Sequence, residues 1–184
     1  MLEAASGAPE GVAVRENRQT LEFATVAPGG RYVVRAAESG GWFAHAITID
    51  GKEVTDRAFD LQSDAGSIVI SYTDRPSRVT GTVRDAAGHA SATAIVLAFP
   101  VDRQRWTDHG RSPRLLRSVF TTESGVYTFD HLPPGGYYAI AIEDPGSDDW
   151  RDAQTLATLA NRAMKLTVVA GEPRTLDLPL RAIR

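Results

Sequence analysis

The chain has 184 residues, a formal net charge of −3 and a pI near 5.8. That balance excludes a general nucleic-acid binder, which would carry a basic face, and the absence of cysteine excludes disulfides and cysteine-ligated zinc or iron–sulfur centres. No apolar run approaches the roughly 20 residues of a membrane helix, so no membrane insertion is expected, and the length suits one large domain or two smaller ones.

The first residues, MLEAASGAPEG, are small and polar. They lack the basic and apolar regions of a signal peptide and fit the start of a fragment. Gly11 to Val14 is a short strand candidate, and Thr20 to Val26 a second, with Leu21 and Phe23 on one face. Ala27-Pro28-Gly29-Gly30 turns the chain, and Arg31 to Ala36 continues extended, with Tyr32 and Val34 sharing a face. Trp42 to Asp50 is apolar and β-rich, Asp50-Gly51 is a hairpin turn signal, and Ser67 to Tyr72 alternates with Ile68, Ile70 and Tyr72 together. Pro76, in Asp74-Arg75-Pro76-Ser77, cannot donate to a sheet ladder and marks the end of a strand.

A second series of strands follows. Arg78 to Arg84 places Val79, Gly81 and Val83 on one face, and Ala92 to Phe99 is apolar apart from Thr93, as for a strand buried on both sides. Pro100 to Leu116 is a long loop, and Arg117 to Thr122 returns to a strand. The stretch around which the chain is organised is Val126 to Ile142, VYTFDHLPPGGYYAIAI. Tyr127 and Phe129 alternate with polar residues, Pro133-Pro134-Gly135-Gly136 supplies turn chemistry, and Tyr138, Ile140 and Ile142 share a face. The pattern predicts a β-hairpin or a β-arch. Ala153, Leu156, Ala157, Ala160 and Ala163 recur at helical spacing behind Asp148 or Asp149 as an N-cap. Two strands, Lys165 to Val169 and Arg174 to Leu180, close the series around Gly171-Glu172-Pro173.

The two series resemble each other. LEFATVAPGGRYVV from Leu21 aligns with YTFDHLPPGGYYAI from Tyr127 at a constant offset of 106 residues, which matches Phe23 with Phe129, Pro28 with Pro134 and Tyr32 with Tyr138. The expected fold is therefore all-β: two tandem Greek-key β-sandwich modules, residues 1–75 and 76–184, the second with a short helix insertion. The first series either starts part-way into a module or is a degenerate copy.

Three blocks carry a family resemblance: Gly81-Thr82-Val83-Arg84-Asp85 with Gly88, Thr122 to Phe129, and Leu132-Pro133-Pro134-Gly135-Gly136-Tyr137. On these the second series resembles a carboxypeptidase regulatory-like, or transthyretin-like, β-sandwich domain. The resemblance covers roughly residues 78 to 142 and, with the closing strands, runs to about Leu180. It implies a stalk, spacer or binding appendage resembling the accessory domain of metallocarboxypeptidases, not the catalytic one.

Motifs for catalysis are missing. His45, His89, His109 and His131 lack the spacing of helix-borne zinc motifs, and there is no G-x-S-x-G, P-loop or G-x-G-x-x-G. Glu143, Asp144, Asp148, Asp149 and Asp152 could offer oxygen to calcium, but lack EF-hand order, and helix capping with arginine pairing explains them more simply. No metal and no cofactor are expected. The sharpest local feature is the loop Asp102 to Arg117, with five arginines, Trp106 and His109. Arginine forks take carboxylates or phosphates and an open indole stacks on sugars; alternatively Trp106 is a buried anchor for the loop, which is the reading favoured here. The function expected is a non-catalytic structural or interaction module of a larger exported bacterial protein, extracellular, periplasmic or on the cell surface, with a protein or carbohydrate partner. The alternative is a carbohydrate- or anion-binding module using Arg103, Arg105, Trp106, His109 and Arg111.

Overall fold

The computed structural model describes residues 2–5, 15–17, 22–24, 27–61, 66–111, 113–143 and 149–182. The strand expected at Gly11 to Val14, and the acids Asp144 and Asp148, lie outside them. By its internal contacts the chain divides into two units, one of Met1–Asp74 with Asp108–Pro113, the other of Arg75–Thr107 with Arg114–Arg184.

Among the described residues the first unit contains the strands β1 (Leu2–Ala4), β2 (Arg15–Asn17), β3 (Glu22–Ala24), β4 (Gly30–Val34), β5 (Phe43–Ile49), β6 (Lys52–Glu53), β7 (Phe59–Leu61) and β8 (Ile68–Thr73). They form sheets β1-β4-β7 and β6-β5-β8 and the pair β2-β3. The core is Leu2, Tyr32, Val34 and Ile47, with Phe59, Leu61, Ile68 and Ile70 packed around it. Asp50 and Gly51 both take positive φ, 49° and 77°, the backbone of a type I′ turn, and this lets Ile49 pair with Lys52 directly across the hairpin.

The second unit contains β9 (Arg78–Arg84), β10 (Ala94–Pro100), β11 (Arg117–Phe120), β12 (Val126–Asp130), β13 (Gly135–Glu143), α1 (Ala153–Ala160), β14 (Met164–Val168), β15 (Pro173–Thr175) and β16 (Leu178–Arg181). The strand path is β11-β10-β13-β16-β9-β12, with β14 on β13 and β15 on β9. β16 runs parallel to both β13 and β9, and so joins the two halves of an all-β sandwich. The organising stretch is a β-arch and not a hairpin: β12 pairs with β9, whereas β13 pairs with β10.

β10 shows why its sequence has no polar face. Ala94, Val96 and Ala98 point into the sandwich with Val79, Val83, Tyr127 and Phe129. Ile95, Leu97 and Phe99 point the other way, into a second core with Ile140, Ile142, Trp106, Trp150, Leu156 and Leu159. The helix forms the outer layer of this second core. Its N-cap is Asp152, whose carboxylate accepts from Gln154 N at 2.9 Å and Thr155 N at 3.0 Å, rather than Asp148 or Asp149. Asp149–Arg151 instead makes a 3-10 turn ahead of the helix.

Gly81 is required by close approach: a Cβ there would run into the Leu176 carbonyl, the same oxygen that accepts from Tyr127 Oη at 2.6 Å. Burial, aided by the charge of Asp177, holds the Tyr127 phenol well above its usual pKa range.

A tyrosine corner occurs in each unit. Tyr32 Oη donates to Pro28 O at 2.8 Å and Tyr137 Oη donates to Pro133 O at 2.8 Å. The ladders behind them match too: Ala5 N donates to Arg31 O and Val101 N to Gly136 O, each at 3.0 Å. By this bond Tyr32 and Tyr137 hold like positions at an offset of 105 (137 − 32), one residue from the offset of 106 at which the sequence sets Tyr32 against Tyr138. Phe23 and Phe129 lie in β3 and β12, each the strand before its corner, but β3 pairs with β2 where β12 pairs with β9.

Candidate functional site: the arginine loop

Pro100 ends β10, and the chain turns at once into a single 3-10 turn, Arg103–Arg105. Asp102 caps it, its carboxylate accepting from Gln104 N at 3.1 Å and lying 3.5 Å from Arg105 Nε. This tight turn drops Trp106 back onto the sheet it has just left. The indole N–H donates to Pro100 O at 2.7 Å, and the ring meets Phe99 edge to face at 5.8 Å. The Arg103 guanidinium lies 5.3 Å over the indole, a cation–π contact. Trp106 is 3% exposed. It is therefore an anchor in the second core and presents no open face on which a sugar could stack.

The remaining candidates fall elsewhere. Arg103 is exposed and Arg105 half-buried, both in the second unit. His109 and Arg111 belong to the first unit, and there it is their backbone that is used. Arg35 Nη2 donates to His109 O, Arg111 N donates to a Glu3 carboxylate oxygen, and Gly110 N donates to Ala5 O at 3.3 Å. The His109 ring is turned onto its neighbour, with Nδ1 2.9 Å from Gly110 O. A Cβ on Gly110, whose φ is +68°, would strike the Glu3 carboxylate. Of the five residues read from the sequence as one anion or sugar site, Arg103, Arg105 and Trp106 thus belong to the second unit and His109 and Arg111 to the first.

What the sequence reading missed is the group that receives the loop tip. Arg35 is 8% exposed, and it reaches Glu3 Oε2 at 3.1 Å through Nε and Asp56 Oδ1 at 3.1 Å through Nη1. Glu3 and Asp56 are each also 8% exposed. Such a buried trio persists only when its donors and acceptors are satisfied. Glu3, Arg35 and Asp56 are far apart in sequence and none sits in a recognisable motif, so nothing local signals it. Trp150 is a second buried indole of the second unit. It is 3% exposed and joins Trp106 in the second core, with Arg151 stacked over it at 5.1 Å.

Among the described residues no group of three or more His, Asp or Glu side chains is placed to hold a metal ion. Among them, too, no helix is long and apolar enough to cross a membrane.

Residues 78–181 match the model of the carboxypeptidase regulatory-like domain, more than half of the chain. The chain belongs to that family. Among proteins of curated function, none matches its sequence. Similar solved structures include a streptococcal ancillary pilin (16% identity, 85% of this chain and 46% of that one, TM-score 0.39). A catechol 1,2-dioxygenase from Acinetobacter sp. ADP1 is also similar (16%, 56% and 51%, TM-score 0.32). So is a Pseudomonas aeruginosa protein described as a candidate for carbohydrate binding (16%, 56% and 88%, TM-score 0.32). The chain spans about half the length of the pilin and of the dioxygenase. With TM-scores below 0.5, none of these likenesses adds to the carboxypeptidase regulatory-like assignment.

Proposed function

We propose that this chain is a non-catalytic structural or interaction module of a larger exported protein, made of two tandem β-sandwich copies. The observation that carries the reading is the burial of Trp106, with its indole N–H bonded to Pro100 O. The most chemically endowed loop of the sequence is used for packing, and its tip residues lend main-chain groups to the Arg35 cluster. Other polar groups are spent in the same way: Ser77 Oγ donates to Leu132 O and Tyr127 Oη to Leu176 O. The matched tyrosine corners support the tandem reading. Location outside the cytoplasm, and a protein or carbohydrate partner, belong to the same proposal.

Trp106→Ala tests it. Removal of a core aromatic should lower unfolding stability by about 3–5 kcal/mol in a denaturant titration. An unchanged midpoint with lost retention on a polysaccharide or polyanion would overturn the reading.

A further inference from the structure

A sheet edge presents unpaired N–H and C=O groups, and charged residues or proline on an edge strand keep other chains from adding to it. Most edges of this chain are guarded in that way. β6 carries Lys52 and Glu53, β7 carries Asp60, β11 carries Arg117 and β12 carries Asp130. β8 is different. It ends the sheet β6-β5-β8, runs for six residues, Ile68–Thr73, and holds no charge, no proline and no glycine. Every other edge strand among the described residues has a charged residue. The register shift in its ladder falls in β5, between Ala44 and Ala46, and leaves β8 itself regular.

The ladder decides which backbone groups of β8 face outward. Ile47 spends both of its main-chain groups on the far side of β5: its N–H donates to Thr55 Oγ1 and its carbonyl accepts from Val54 N, each at 2.9 Å. Ile70 stands opposite Ile47 and so is not bonded to it. Asp50 N donates to Ser67 O at 3.1 Å. Hydrogen bonding alternates along an antiparallel pair, so Ser67 and Val69 turn their backbone groups towards β5. Ile68 and Ile70 turn theirs away, to a side where no strand among the described residues pairs. The side chains alternate as well. Ile68 and Ile70 pack on the core of the first unit. Val69, 53% exposed, stands on the outer face between exposed Ser67 and Ser71.

We propose that β8 pairs antiparallel with β8 of a second copy of this chain, about a two-fold axis at Val69. The register follows from the outward groups. Centred there, Ile68 meets Ile70 of the copy and Ile70 meets Ile68, and each pair exchanges two N–H···O=C bonds. Val69 faces Val69 of the copy, which covers the most exposed apolar side chain of the strand. Each Ser67 faces a Ser71, a pair suited to cross-strand hydrogen bonding. A second copy is the occupant that this edge favours, because the segment is its own complement and sets no charge against a like charge. The pairing is isologous and closes at two. It goes beyond the module reading, which rests on Trp106 and not on β8.

The contact is one pair of six-residue strands, short of the roughly 1,600 Å² of a standard interface, so association is weak and rises with concentration. Sedimentation equilibrium of the intact chain should show monomer passing to dimer, and nothing larger, as concentration is raised. Val69→Lys should abolish the dimer at an unchanged unfolding midpoint. The chain has no cysteine, so single thiols read the register. Val69→Cys sets two thiols on Cα atoms about 4.5 Å apart across the axis, within the reach of a disulfide. Ser71→Cys leaves them about 13 Å apart along the strand. Val69→Cys should therefore oxidise to a disulfide dimer roughly tenfold faster than Ser71→Cys, or more, since proximity and not collision sets the rate. A chain that stays monomeric, that grows beyond a dimer, or that associates as before in Val69→Lys overturns the proposal. Equal oxidation rates for the two thiol variants also overturn it. If Val69→Lys lowers the unfolding midpoint, the thiol rates decide.

Discussion

Arg35 sends three nitrogens to three acceptors, Glu3, Asp56 and the carbonyl of His109, and without them a buried guanidinium would not be tolerated. Arg35→Ala leaves two carboxylates buried without their shared cation, and should lower stability by about 3–5 kcal/mol. Urea unfolding measures this, and Arg35→Lys should recover only part, since an ammonium cannot span the fork. Tyr127 gives a pH signature. Burial, then the charge of Asp177, raises its pKa, so the fold favours the neutral phenol. The stabilisation is fully present below the unfolded value of about 10 and is lost as pH rises above it. Tyr127→Phe should cost about 1 kcal/mol near neutrality, through the bond to Leu176 O. It should also flatten the alkaline loss; midpoints measured between pH 8 and 11 decide.

At the scale of elements, α1 and β10 define each other. Leu156, Leu159 and Ala160 are buried on the helix, and Ala153 and Ala157 pack at its margin. The helical spacing of the alanines located the segment, but Leu159 was not on the expected face. An inner stripe is centred by the partner sheet, and the sequence does not display that sheet. Leu156→Asp would place a carboxylate against Phe99 and Ile142 in the second core. It should destabilise the second unit by several kcal/mol in denaturant titration, while a neutral result would mean that the helix is not a structural layer. The arch was half legible. Turn residues between two alternating runs mark a reversal, but whether the runs pair depends on β9 and β10, which are remote in sequence.

For the whole molecule, a prediction concerns metal. Among the described acids, Asp152 caps the helix N-terminus and Glu3 and Asp56 pair with Arg35. Chelation should therefore leave the melting temperature unchanged. A large loss on adding EDTA, reversed by calcium, would reveal a site in the acidic segment before α1.

The sequence by itself determined the class of fold and the family. Period-two alternation in Arg78 to Arg84 and Val126 to Asp130, turn chemistry at Asp50-Gly51 and Pro133 to Gly136, and the three family blocks are local properties, and local steric rules read them. It also favoured Trp106 as an anchor, since an indole gains most by packing. Only the tertiary structure decided the rest. The one-residue shift between the two tyrosine corners is set by which tyrosine reaches a carbonyl four residues back. The split of the arginine loop between two units is set by Glu3, Arg35 and Asp56. The exposure of Trp42 rather than Trp106 is set by which indole meets a sheet face with room for it. Each of these depends on partners distant in the chain, and burial is a property of neighbours that spacing along the chain does not carry.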